Sequence, residues 1–201
     1  MALNSPGSSN TQTIGSRTWL AVKGKAADAV CRDLQLRPGM AVSRPRRFAL
    51  EGAPSDAGWY LIVAAGWDHR LIQEPVLEKL SAGCEVLTCT VDEGNLSSRA
   101  AGWRDRRRVW SVSYEGEDMP GEVVAEGDLP LTFEIISRDL TNKSKAADAG
   151  DLLLDPLFEI PIELVHNAVG YRFDEPSHAF DGRFVLLEAI NPTLMQRLFG
   201  G

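Results

Sequence analysis

Residues Gly58–Gly116 read GWYLIVAAGWDHRLIQEPVLEKLSAGCEVLTCTVDEGNLSSRAAGWRDRRRVWSVSYEG and hold four of the five tryptophans, two of the three cysteines and an arginine cluster. Within them the apolar spacing changes in a fixed order. Trp59–Ala65 is an unbroken apolar run of strand length, as expected of a central strand buried on both faces. LIQEPVLEKLSAG has helical spacing, with Pro75 early and Gly83 placed to end it. CEVLTCTVDE returns to a strand pattern. GWRDRRRVWSVSYEG then gives the end of one strand, a turn near Asp105 and another strand over Val109–Tyr114. On that last strand Trp110, Val112 and Tyr114 share one face, which places them in the core.

Working outward, RTWLAVKG reads as a first strand and KAADAVCRDLQL as a helix, with Ala27, Val30, Cys31 and Leu34 at three-four spacing. Arg37-Pro38-Gly39 is expected to stop that helix, and RRFALEG to form the next strand. The order β-α-β-β-α-β plus one more strand predicts an α+β fold, mainly an antiparallel sheet with helices packed on one face. Beyond Gly116, EDMPGEVVAEGDLP reads as acidic and turn-rich. LTFEIISRDLTNKSKAADAG and the segment around FEIPIELVHNAVG read as C-terminal helices, the second ended by Gly170, and Asn191-Pro192 opens a final short one. The expected organisation is a flexible leader over 1–16, a sheet core over 17–116, and an acidic, mostly helical part over 117–201 on the same core.

The chain has 201 residues and a net charge of −7, unevenly spread. Residues 1–50 carry eight Lys/Arg against two Asp/Glu, whereas residues 115–163 carry thirteen acidic residues against three basic ones. A net-negative chain repels nucleic acid unless a basic face is set apart, and an acidic segment suits a basic protein partner. No apolar run approaches the roughly 20 residues of a membrane span, and the first residues lack the regions of a secretory signal, so a cytoplasmic location is expected. Three cysteines do not describe a disulfide scaffold.

Each candidate chemistry meets a simpler structural reading. Cys84 and Cys89, five residues apart on a strand, point to opposite faces and lie too far apart for a disulfide or a shared metal. Glu163–His166 has Glu-x-x-His spacing, with Glu159 a turn earlier, but the four-helix bundle that builds a di-iron site from such motifs is missing. Asp68-His69 pairs an acid with a base, yet no Gly-x-Ser-x-Gly elbow supplies a nucleophile. Gly24-Lys25 opens a helix after a strand without the remaining residues of a phosphate loop. Arg99, Arg104, Arg106, Arg107 and Arg108, flanked by Trp103 and Trp110, could meet phosphates and bases, but they surround a hairpin turn and face an acidic segment of the same chain.

The segments GWYLIV, LSAGCEVLTCTVDE, GWRDRRRVW and FEIPIELVHNAVGYRFDE occur in this order. In them the chain resembles an uncharacterised family of small acidic bacterial proteins with a GWYL strand, an LSAGCEV segment leading into a strand, a W-x-D-G-x-x-x-W hairpin and a closing segment like the last. Arg106 stands where that hairpin has Gly, which implies a longer or different turn. The resemblance brings no catalytic residues. By analogy with bacterial immunity proteins it implies a protein that binds and blocks a toxin.

These readings lead to a non-enzymatic, immunity- or inhibitor-like binding protein with no metal, no cofactor and no nucleic acid. Its expected partner is a basic protein, met through Glu122, Glu126 and Asp128. The alternative is an enzyme of unrecognised type using Asp68, His69 or His166 in a cleft between the sheet and the C-terminal helices.

Overall fold

The computed structural model describes residues 15–42, 50–116, 122–146, 155–175, 178–180 and 182–190. In chain order the elements are β1 (Arg17–Lys23), α1 (Ala27–Asp33), β2 (Leu36–Ala41), β3 (Glu51–Pro54), β4 (Trp59–Ala65), α2 (Glu74–Leu80), β5 (Glu85–Asp92) and β6 (Ser97–Arg104). They continue with β7 (Arg107–Glu115), β8 (Val123–Gly127), α3 (Phe133–Ala146), α4 (Glu159–Val169) and β9 (Val185–Ala189). Short 3-10 turns occupy Arg70–Ile72, Pro156–Phe158 and His178–Phe180. Among the described residues no helix is long and apolar enough to cross a membrane.

The fold is α+β, built on one nine-stranded antiparallel sheet in the order β2-β9-β3-β4-β1-β5-β6-β7-β8. The central strands are the apolar ones because both of their faces are covered. In β1 the residues Thr18–Val22 are all buried, as are Trp59–Ala64 of β4. Trp19 and Ala21 point to the face under α3 and α4, where they join Leu61, Val63, Cys89, Ile162 and Val165. Leu20 and Val22 point to the other face, where Tyr60, Ile62 and Val86 meet Val30, Cys31, Leu77 and Leu80 of α1 and α2. The first two helices therefore share one face, and the C-terminal helices take the opposite one.

Both sides are anchored by polar contacts as well as by apolar burial. Under α4 the buried Ser98 hydroxyl donates to the Phe158 carbonyl (2.7 Å), and the Tyr114 hydroxyl donates to Asp155 (3.0 Å). Asp155 also accepts from Ser144 of α3 and from the Leu157 amide, each at 3.0 Å, so one carboxylate ties β7, α3 and the turn before α4 together. Gly170, at φ +77°, closes α4 in the left-handed conformation, with its amide donating to the His166 carbonyl.

Three strands depart from the sequence reading. Arg37-Pro38-Gly39 does not stop α1, which ends at Asp33 with Leu34 as its C-cap; the chain runs through those residues as β2, an edge strand among the described residues, the sheet position in which proline is tolerated. Val123–Gly127 forms β8 at the other edge despite its acidic, turn-rich surroundings. Val185–Ala189 forms β9 and enters between β2 and β3. Two of these strands lie beyond Gly116, so the expected division there does not divide the sheet. Of RRFALEG only Glu51 and Gly52 belong to β3; Leu50 precedes it, and residues 46–49 fall outside the described residues, as do the expected leader up to residue 14 and the helix expected after Asn191.

The β6–β7 turn is a tight one, where a longer or different turn is expected at Arg106. Arg104 pairs with Arg107, leaving a two-residue loop in which Asp105 and Arg106 have φ of +48° and +66°. That is the conformation a tight hairpin needs, and it strains a side chain like arginine. The SAGC segment after α2 holds it: the Ser81 carbonyl accepts from the Asp105 amide (2.9 Å) and its hydroxyl from the Arg106 amide (3.2 Å). In return the Asp105 carboxylate accepts from the Gly83 amide (3.2 Å). The SAGC and hairpin motifs are thus two halves of one structural contact.

Candidate functional site

The strand β7 shows where a ligand surface can lie. Trp110, Val112 and Tyr114 are buried toward α4, whereas Ser111, Ser113 and Glu115 alternate with them and remain partly exposed. Among the described residues no helix covers that face, and hydroxyl-bearing residues suit such positions. The same face carries Thr88 and Thr90 of β5, Arg99 and Ala101 of β6, and Val124 and Glu126 of β8, by the cross-strand register. Together they floor a groove of about 440 Å³, bounded at one end by Trp67, Asp68, Ile72, Glu74 and Leu77 from the turn and helix around α2. The volume lies within the range of ligand-binding clefts.

The floor is preorganised by its own contacts. Thr90 shares a hydrogen bond with Thr18 (3.2 Å), and Thr88 donates to the Ala101 carbonyl (3.4 Å). The walls carry paired charges. Arg99 lies over the Trp67 ring, 4.9 Å from its centroid, and ion-pairs with Glu115 (2.5 Å). Arg108 ion-pairs with Glu126 (3.6 Å), and nearby Arg104 with Glu85 (3.4 Å). Around the groove Asp68, Glu74, Glu115 and Glu126 face two arginines, so its edge is net acidic. The arginine cluster is spent on the chain's own carboxylates, apart from Arg106 and Arg107 at the exposed hairpin tip. The Trp103 indole N–H has no hydrogen-bond partner among the described residues.

Glu122, Glu126 and Asp128 lie on and just beside β8, all exposed. Glu126 lines the groove; Asp128 lines a separate recess with Trp110 and Pro130. These carboxylates are visible in the sequence as charge, but the strand that carries them is not. The groove floor does have a local signal in VWSVSY, where small hydroxyl residues alternate with large apolar ones.

Asp68, His69 and His166 do not meet. Asp68 lines the groove, but the His69 Nδ1 turns inward to accept from the Leu71 amide (3.3 Å), and burial followed by the neighbouring Arg70 charge lowers its pKa to about 4. His166 sits on α4, across the sheet, 3.5 Å from Glu163. Arg172, with its side chain only 8% exposed, stands where the Glu-x-x-His spacing suggested a metal. It pairs with Glu163, with Glu159 (2.9 Å), with Asp174 (3.0 Å) and with Glu175 (3.5 Å). Burial opposes its charge, but Asp174 and Glu159 hold the guanidinium above its usual pKa. Among the described residues no group of three or more His, Cys, Asp or Glu side chains is placed to hold a metal ion. Cys31, Cys84 and Cys89 are buried and unpaired, and burial raises the pKa of Cys84 and Cys89, which suppresses the nucleophilic thiolate.

Comparison of the chain with protein-family models, curated proteins and solved structures found no match.

Proposed function

We propose that this is a non-enzymatic binding protein of the bacterial cytoplasm, akin to immunity or inhibitor proteins and to the small acidic family its motifs resemble. The open face of β5–β8 and the carboxylates along β8 form its working surface. The reading is carried by one observation: a preformed groove whose arginines are already neutralised and whose edge keeps excess negative charge. Such a surface attracts a basic protein and repels nucleic acid. The dispersal of Asp68, His69 and His166 over two faces of the sheet supports binding over catalysis.

The test is association with a basic protein encoded beside this chain. Exposed charges are screened over about 10 Å at 0.1 M ionic strength, so association should be fast at low salt and slow at high salt. Reversing Glu122, Glu126 and Asp128 to Lys should lower the association rate and leave the unfolding midpoint in place. Tight single-stranded nucleic-acid binding, abolished by Arg106, Arg107 and Arg108 substitutions, would transfer the function to the hairpin and end the acidic-surface reading.

A further inference from the structure

Among the described residues β8 pairs with β7 alone and ends the sheet. The Asp128 amide donates to the Val109 carbonyl (2.9 Å). Antiparallel ladders alternate, so Asp128, Glu126 and Val124 turn their main-chain groups toward β7, while Val123, Ala125 and Gly127 turn theirs away. The Gly127 carbonyl is used by the Leu129 amide (3.1 Å). The outward edge therefore offers both groups of Val123 and Ala125 and the Gly127 N–H. Side chains follow the opposite parity. Val124 and Glu126 face the groove, with Val124 41% exposed, and Glu122 continues their two-residue spacing one position before the strand.

We propose that the free edge of β8 is a docking site for an extended segment of a basic partner protein, added as a tenth strand with the pattern cation-x-apolar-x-cation. The inference rests on the binding reading above and specifies how the partner attaches. Directly opposed side chains on neighbouring strands interact, so Glu122 selects a Lys or Arg, Glu126 selects a second cation that shares its carboxylate with Arg108, and the exposed Val124 selects an apolar residue between them. The added strand pairs antiparallel, as every neighbouring pair in this sheet does, and the pattern is symmetric about its central residue. It also rejects a second copy of this chain, because antiparallel β8–β8 pairing about Val124 would set Glu122 opposite the partner's Glu126. Carboxylates on an edge strand commonly serve only to prevent such self-pairing. Main-chain hydrogen bonding from a cationic strand distinguishes docking from that protective role.

The experiment uses the full chain and two peptides of one composition, TKTVTKT and TTKVKTT, with binding read by fluorescence anisotropy at low salt. TKTVTKT, whose lysines and valine share one face, should bind at least tenfold more tightly than TTKVKTT, whose lysines face away from its valine. Paired antiparallel to β8, TKTVTKT turns its threonine amides toward β8 and its lysine and valine amides toward solvent. N-methylation of the two threonines flanking valine should abolish binding, and N-methylation of the valine should be silent. On the protein, Ala125→Pro removes an outward N–H without touching the β7 ladder and should weaken TKTVTKT at least tenfold. Equal affinity for the two peptides, indifference to threonine N-methylation, or no peptide binding at all would overturn strand addition. Salt-sensitive binding of the intact basic partner would in those cases still uphold the broader reading, whereas its loss would remove both.

Discussion

The two faces of β7 carry opposite chemistry within one strand. Toward α4 and the Pro156–Phe158 turn it presents Trp110, Val112 and Tyr114, all buried; toward the groove it presents Ser111, Ser113 and Glu115. In β1, at the middle of the sheet, no such contrast exists, because helices cover both faces and every residue from Thr18 to Val22 is buried. The difference shows what a helix layer demands of a strand. Covered positions take large apolar groups, and uncovered ones need only β-compatible side chains that water can reach.

Neighbouring residues of β7 should accordingly respond very differently to substitution. Trp110→Ala is expected to destabilise by about 3–5 kcal/mol, the usual cost of truncating a large buried aromatic. Its indole also lies across Gly102, where an added Cβ would collide with the ring. Chemical denaturation measures the loss, and an unchanged midpoint would mean that the α4 face of β7 is as permissive as the groove face.

Tyr114→Phe keeps the ring and removes only the hydroxyl bonded to Asp155. It should cost about 1 kcal/mol, since Asp155 retains Ser144 and the Leu157 amide. A loss comparable to that of Trp110→Ala would show that the polar anchor, rather than apolar burial, decides the covered face.

His69 lies beside the boundary between the covered and open halves and ties the contrast to pH. Its folded pKa of about 4 is below the ordinary value of 6.5, so its contribution is full above about pH 6.5 and is lost as the pH falls toward 4. His69→Asn retains a capping acceptor that does not titrate. Denaturation midpoints of this variant and the unsubstituted protein should therefore converge on acidification from pH 7 to pH 4.5, and a constant gap would refute the half-buried, neutral imidazole.

Ser113→Val should be the mildest change, within about 0.5 kcal/mol, because that side chain borders an open groove. A large stabilisation on urea denaturation would indicate that the groove closes over an apolar floor, and the contrast between the two faces would disappear.

Much of this architecture follows from local pattern. The apolar runs of β1, β4 and β5 and the helical spacing of α1, α2 and α4 are properties of neighbouring residues, as is the stop of α4 at Gly170, so the sequence alone determined them. The opposite faces of Cys84 and Cys89 follow in the same way, and the two sulfurs do enter separate core clusters. The acidic residues about β8 were visible as charge, but their place on a free edge required β7 beside them.

Only the tertiary structure decided the rest, because it depends on contacts between residues far apart in the chain. β9 owes its place to pairing of Leu186 with Glu51 and of Leu187 with Pro38, which no local periodicity encodes. The left-handed Arg106 is stable because Ser81 waits at the end of α2, and Arg172 is buried because α4 and the following loop surround it with carboxylates. Among the described residues the groove is open because the layer of α1 and α2 reaches Trp103 of β6 but not β7 and β8, which leaves a hydroxyl-lined face uncovered. Spacing within a segment fixes which residues share a face; the reach of the layers packed on that face determines whether it becomes core or surface.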